Sequence, residues 1–353
     1  MAACRIANNA QIHPPALHLQ SRAAAPGVHI MRGITMPAAL LALLTAGSIA
    51  AEAQFFSRSQ PKPTETAAAP ATPAAGAQTA ATPSSPPPPA APAQTCSNPN
   101  ALGLARTVEI DTTGGPGFGL EQYKAHDFLQ PKEVVLTFDD GPWINNTQAV
   151  LAALAEHCTK ATFFTIGKHA TYYPEILKQV AASGHTIGTH TWSHAVLKKL
   201  PPDKAKEEIE KGLSAVKMAM GGVAPAPFFR FPALQDPPEM VTYLGSRNIA
   251  IFSMDLDSFD FKIRKAEGVV KSVMDKLEKK GKGIVLLHDF QAGTAHAIPM
   301  ILAELKAKGY KVVHMKAKAQ AVTLAEYDEK AKAEFKGPMQ MDKPTSSVVK
   351  TVE

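Results

Sequence analysis

The chain has 353 residues, 45 % hydrophobic and 19 % charged, with a formal net charge of +6. This length allows two domains at most and is ample for one large core. The basic excess sits on lysines of helical stretches and the C-terminal tail and reads as solvated faces; with no Arg-rich block or aromatic–basic alternation, no nucleic-acid partner is expected. Residues 1–30 carry no fold pattern and are read as an upstream extension, with Met31 the expected start. Met31-Arg32-Gly33 supplies a short basic start, residues 36–50 an apolar run, and Ala51-Glu52-Ala53 the small residues that a signal peptidase reads. Residues 31–53 are therefore expected to be a cleaved signal peptide. The run is short for a membrane span, and an uncleaved anchor is the alternative. Residues 54–95 are rich in Pro, Ala, Thr and Ser and cannot bury enough surface to offset their ordering entropy. They are expected to be a disordered, semi-rigid linker.

Residues 96–335 are expected to form one catalytic domain, in which short β-rich runs alternate with helical stretches. Strands are expected at 133–138, 161–166, 186–189, 228–231, 249–254, 283–288 and 310–314. Helices are expected at 147–157, 173–183, 203–220 with Asp203 as its cap, 238–247, 266–279 and 297–306. This β-then-α alternation implies an α/β fold, a distorted barrel of about seven parallel strands with helices outside. Export would remove Cys4 and leave Cys96 and Cys158, an even pair that reads as a disulfide, with two unpaired thiols the alternative. Residues 336–353 are expected to be a disordered tail.

Five segments that end or follow strands carry acid, base and ligand chemistry, and strand C-termini are where active sites of such folds lie. Asp139-Asp140-Gly141-Pro142 alone is a turn signal. Two adjacent carboxylates at a strand end also let one bind a cation while the other takes a proton. His190 and His194, spaced i, i+4, are expected to meet one ion from a helical turn. With Asp140 they make three ligands and leave a position for water, and this donor set suits Zn²⁺, with Co²⁺, Ni²⁺ or Fe²⁺ able to substitute. His288 reads either as the hydrogen-bonded end of a buried strand or as a proton donor near neutral pH, with Asp260 the candidate to hold it by favouring imidazolium. Arg230, in an apolar run, needs a carboxylate partner if buried, and Asp139 is the expected one. Trp143 and Trp192 read either as sugar-stacking residues or as packing at the barrel mouth. The other histidines, His169 among them, show no partner pattern.

In order, Thr137-Phe138-Asp139-Asp140-Gly141-Pro142, His190-Thr191-Trp192-Ser193-His194, Arg230-Phe231-Pro232, Asp257-Ser258-Phe259-Asp260-Phe261 and Leu286-Leu287-His288-Asp289 resemble the five motifs of the polysaccharide deacetylase family with the NodB homology domain, carbohydrate esterase family 4. The resemblance implies a distorted (β/α) barrel and zinc-dependent removal of N-acetyl groups from N-acetylglucosamine-containing polymers. It makes Asp139 the catalytic base, Asp140, His190 and His194 the metal ligands, Arg230 the residue that orients the base, His288 the acid and Asp260 the residue that tunes it. Leu286 resembles a wall of the pocket for the acetyl methyl. Two positions depart from the family pattern: Phe261 stands where tryptophan is usual, and Ala233 where tyrosine is usual. Ala233 keeps a backbone N–H for an oxyanion but no aromatic contact to sugar.

The expected partner is an acetylated polysaccharide, peptidoglycan first and a chitin-like polymer second, met by an exported monomer in the periplasm or outside the cell. Membrane contact is expected only in transit through the signal peptide or through an uncleaved anchor. Rival readings are an O-acetyl polysaccharide esterase, a small-molecule amide hydrolase on the same metal centre, and a non-catalytic glycan-binding module.

Overall fold

The computed structural model describes residues 96–335. The expected extension, signal peptide, linker and tail lie outside the described residues. The elements in chain order are β1 (Arg106–Ile110), β2 (Gly117–Phe118), β3 (Glu133–Asp139), α1 (Asn146–Glu156), β4 (Thr162–Thr165), α2 (Gly167–Tyr172), α3 (Pro174–Ala182) and β5 (Thr186–Thr189). They continue with α4 (Pro202–Ala219), β6 (Phe228–Phe229), α5 (Pro238–Ser246), β7 (Ala250–Phe252), β8 (Leu256–Asp257), α6 (Ala266–Lys280), β9 (Gly283–His288), α7 (Ala292–Ala307), β10 (Lys311–Ala317) and α8 (Ala325–Glu334).

Every strand pair is parallel, and the strands run in the row β8-β9-β3-β4-β5-β6-β7-β2. A parallel sheet covered by helices needs strands that are apolar on both faces, and β3 is buried along its whole length. Alternate residues serve two cores. Val134, Leu136 and Phe138 pack with the helices α1, α6 and α7. Val135 turns the other way, into a cluster with Phe164, Phe228, Phe252, Ile284 and Val313. Thr137 and Asp139 follow the phase of Val135. The row closes through the chain itself: β7 stops at Phe252 and β8, at the far end, starts at Leu256. Asp255 stitches this seam, accepting hydrogen bonds from Ile284 N (2.6 Å) and Leu120 N (2.5 Å). β10 pairs with the first residues of β3 and with β1 at its other edge.

Three short or polar strands and two helices escape the expected pattern. β2 and β8 are two residues each, too short for a period to show. β1 carries Arg106 and Glu109 in an edge position, and α8 is polar with only Ala331 buried. α2 opens on Gly167 and has no apolar stripe. α4 begins at Pro202 with Pro201 at its cap, so Asp203 lies in the first turn and is not the cap. α7 starts five residues before the expected 297 and runs through Pro299, because its small opening residues hide the helical period. Among the described residues no helix is long and apolar enough to cross a membrane.

A disulfide joins Cys96 to Cys158, with Cα atoms 5.7 Å apart and 62 residues of separation. It ties the entry of the domain to the turn that follows α1. Closing so long a loop typically contributes about 2–4 kcal/mol by restricting the unfolded chain. Each kcal/mol moves the melting temperature of a domain this size by about 2–4 °C. Cys158→Ser is therefore expected to lower it by roughly 5–15 °C in calorimetry; an unchanged melt would show that the bridge adds nothing.

Candidate active site

Parallel register brings the chemistry to one level at the C-terminal ends of the strands. Asp139 at the end of β3 is level with its neighbour His288 at the end of β9, and Asp257 of β8 is level with Leu286 of β9. His190 follows β5, and Arg230 follows β6, which pairs with β5 through Phe229 and Thr189. Together they surround a cavity of about 390 Å³.

Asp140, His190 and His194 offer ligand atoms that all lie within 4.8 Å of one another. Asp140 Oδ1 is 3.6 Å from His190 Nε2 and 3.5 Å from His194 Nε2. This oxygen is buried without a hydrogen-bond partner, which is costly unless a cation takes its place. His190 donates from Nδ1 to the carbonyl oxygen of Arg230 (2.6 Å), which leaves the lone pair of Nε2 for ligation. Burial holds its pKa below the usual histidine value in spite of the Asp139 and Asp140 charges, so the ring is neutral. One carboxylate and two imidazoles fit a divalent cation such as zinc.

His190 and His194 do not share a helical turn. His190 ends a strand, and Thr191 and His194 take left-handed backbone conformations (φ 64° and 62°) in an irregular loop. α4 holds that loop from beneath. Ser193 donates from N and Oγ to Glu208 (2.8 Å each), and a Cβ at Gly212 would meet the Thr191 carbonyl carbon at 2.6 Å. Trp192 is buried against Ala215 and Ala331 of α8. Lys211 lies 4.5 Å from its ring centre and pairs with Glu334 at 2.7 Å. Trp192 is thus an anchor for the loop and not a sugar contact. Trp143 also lies off the cavity wall, edge-on to His169 and Tyr173. His169, which showed no partner pattern, donates from Nδ1 to the Asp140 carbonyl oxygen (2.5 Å). Gly141 is required next to it, since a Cβ there would collide with the buried Asp289 carboxyl.

Arg230 is fully buried and donates from Nη1 to Asp139 Oδ1 at 2.7 Å and to Thr137 Oγ1 at 2.8 Å. At the end of the neighbouring strand β9, Asp260 accepts from the Nδ1 of His288 (2.7 Å), the backbone N of His288 (2.7 Å) and Thr294 Oγ1 (2.6 Å). Burial disfavours a charged His288, but the Asp260 hydrogen bond and the charges of Asp260, Asp139 and Asp140 outweigh it and raise its pKa to about 9. Burial likewise opposes the Asp260 carboxylate, and the bonds from His288 and Thr294 prevail and lower its pKa. Leu286, Phe261 and Ala233 line the cavity, joined by Phe231, Leu234 and Asp257. Asp257 has its pKa raised by burial. Leu234 was not readable as a wall residue because its exposure to the cavity depends on the left-handed turn at Ala233 and Leu234 (φ 53° and 54°).

A parallel α/β barrel with a histidine–carboxylate cluster able to hold a metal, beside a buried carboxylate and a carboxylate-paired histidine, has the arrangement of hydrolase-like sites. The family described as polysaccharide deacetylase matches residues 128–249. A peptidoglycan-N-acetylglucosamine deacetylase of Bacillus cereus is 32 % identical over 201 residues, covering 55 % of this chain and 71 % of that protein. The peptidoglycan-N-acetylglucosamine deacetylase PgdA of Listeria monocytogenes is 32 % identical over 188 residues, covering 52 % of this chain and only 38 % of that longer protein. Among solved structures, a peptidoglycan deacetylase of Bdellovibrio bacteriovorus superimposes with a TM-score of 0.55 at 36 % identity, covering 61 % of this chain and 59 % of that one. The chain belongs to the polysaccharide deacetylase family.

The acid arm gives a direct test. With its pKa raised, His288 stays protonated through neutral pH in metal-free protein and loses the proton as the pH rises through about 9. In Asp260→Asn the strongest raising influence is gone and burial dominates, so the ring is expected to titrate below an ordinary histidine. Ring-nitrogen NMR of chelated wild type and Asp260→Asn reads both; identical titrations would refute the coupling.

Proposed function

We propose that this chain is a metal-dependent polysaccharide N-deacetylase acting on N-acetylglucosamine-containing polymers, with peptidoglycan as the first substrate and a chitin-like polymer as the second. The observation that carries the reading is the register that sets Asp139 and His288 side by side at the ends of the neighbouring strands β3 and β9, lining one cavity with the Asp140–His190–His194 cluster.

Asp140, His190 and His194 would hold the ion, zinc by donor type, with Co²⁺, Ni²⁺ or Fe²⁺ as substitutes. A divalent ion there supplies Lewis-acid polarisation of the acetyl carbonyl and a more acidic water. Asp139, oriented by Arg230, takes the proton of the attacking water. The backbone N–H of Ala233 donates to the developing oxyanion. Leu286 gives the acetyl methyl an apolar wall. His288 hands its proton to the departing nitrogen, which cannot leave as an anion, and Asp260 steadies the imidazolium until then. This need for protonation favours an amide substrate over an ester, whose alcohol leaves more readily. Acetate and a free glucosamine amine result.

In this reading residues 31–53 direct export, 54–95 tether the domain in the cell envelope, and the enzyme works as a monomer in the periplasm or outside the cell. Relatives that act on peptidoglycan support the envelope as its place of work.

Each acid or base contributes about 10²–10⁴-fold to such reactions. Asp139→Asn and His288→Ala are therefore expected to lose activity by ~10²–10⁴ with the fold retained by circular dichroism. The assay measures acetate and free amine from peptidoglycan, chitooligosaccharide and acetylated xylan, with added Zn²⁺ and after chelation. Metal-dependent amine release supports the proposal; acetate without amine would make the enzyme an O-acetyl esterase, and near-wild-type activity in either variant would remove that residue from its role.

A further inference from the structure

Five large hydrophobic side chains are exposed among the described residues, and two of them lie together beside the cavity: Phe259 at 40 % and Phe261 at 46 %. Phe261 forms part of the cavity wall, its ring 5.5 Å from that of His288. Phe259 is one step further out, 6.1 Å from Phe261 between ring centres. The line His288, Phe261, Phe259 therefore leads away from the reacting atoms along the surface.

The backbone goes to some length to present this pair. Phe259 has a left-handed φ of 55°, a conformation that bulky residues rarely adopt. It is tied there by its N–H to Asp257 Oδ1 (2.8 Å) and by Lys262 N–H to its carbonyl (2.9 Å). Lys276 supports the ring from one side, 4.1 Å from its centre, and is itself anchored to the Asp257 carbonyl at 2.7 Å. A strained loop that turns an apolar ring into water gains nothing from packing, and strain of this kind gathers at ligand sites. Lys262 stands between the two rings, its ammonium 5.2 Å from Phe259 and 5.1 Å from Phe261. Among the described residues it has no ion-pair partner. The cavity itself is lined by carboxylates, histidines and apolar groups, so Lys262, at its rim beside Phe261, is the ammonium placed to meet an acidic group on the neighbouring part of a substrate.

We infer that Phe259, Phe261 and Lys262 form a subsite for the sugar next to the one being deacetylated, and that this neighbour bears a carboxylate. The rings offer flat apolar faces to the C–H side of a pyranose. Lys262 meets the acid. A strand in which N-acetylglucosamine alternates with a lactyl-substituted hexosamine has that carboxylate beside each acetylated target; a chitin-like chain has none. The inference rests on the deacetylase reading and chooses, within it, the acidic glycan over the neutral one.

The test uses peptide-free peptidoglycan strands, the same strands with their carboxylates amidated, and neutral chitotetraose. Binding is measured by calorimetry alongside KM from amine release. Wild type is expected to prefer the acidic strand to its amidated form, with the preference eroded by salt. Lys262→Gln is expected to raise KM and Kd for the acidic strand about fivefold, the upper range of an exposed ion pair, and to abolish the preference. Phe259→Ala is expected to weaken all three about equally with kcat retained, and Phe259→Tyr to restore them. An equal effect of Lys262→Gln on acidic and amidated strands, or no effect of Phe259→Ala, overturns the subsite. Amine release without any charge preference also overturns it and keeps the deacetylase reading. Charge-dependent binding lost in Lys262→Gln, with no amine released from any glycan, keeps the subsite and overturns the deacetylase reading.

Discussion

One buried guanidinium holds the mouth of this barrel together. A charge taken out of water is expensive and persists only when its donors are satisfied. Arg230 donates to Thr137 and Asp139 on β3 and to the carbonyls of Phe252 (3.1 Å) and Ser253 (2.7 Å) at the seam between β7 and β8. The Phe164 ring lies 4.3 Å from its carbon centre. Its own carbonyl accepts the Nδ1 proton of His190. The same residue thus closes the strand row, aims the carboxylate proposed as base and fixes the tautomer of a proposed ligand. Barrel closure and site geometry are one interaction.

The two arms of the site differ by their surroundings. Asp139 and Asp260 are both buried aspartates at the strand mouth. One is held by an arginine, which has no proton to give at working pH. The other is held by a histidine, whose proton can be passed on. Pairing carboxylates with unlike bases is how one fold separates a proton acceptor from a proton donor within a small cavity. Next to Asp139 in sequence, Asp140 keeps an oxygen that neither arm reaches with a hydrogen bond.

Much of this was legible in the chain. The strands β5 and β9 have the limits their residues suggest: β9 is an apolar run between Gly283 and His288, and β5 is a short β-prone stretch between His185 and His190. The Arg230–Asp139 contact was legible because an arginine among phenylalanines must find a carboxylate. What escaped depends on distant contacts. The i, i+4 spacing of His190 and His194 suggests a helix, yet Gly212 and Glu208 of α4 hold the segment as a loop. Trp192 looks like a sugar platform until α8, more than a hundred residues later, covers it. His169 carries no local pattern, since its partner is a backbone carbonyl. Phe259 is unremarkable in sequence, and only its positive φ and exposure set it apart.

The cover on Trp192 has a consequence for how the domain is made. α8 is the last element in chain order among the described residues, and it supplies Ala331 against Trp192 and Glu334 to Lys211. The loop that carries two of the three proposed ligands is therefore held by its neighbour α4 and also, through Trp192, by an element more than a hundred residues later. A nascent chain that has already formed β3, β5 and β9 still has an unfinished floor under His190 and His194 until α8 emerges. The ligand cluster thus reports on completeness: a product truncated before residue 325 can resemble the barrel while lacking the support that makes its mouth rigid.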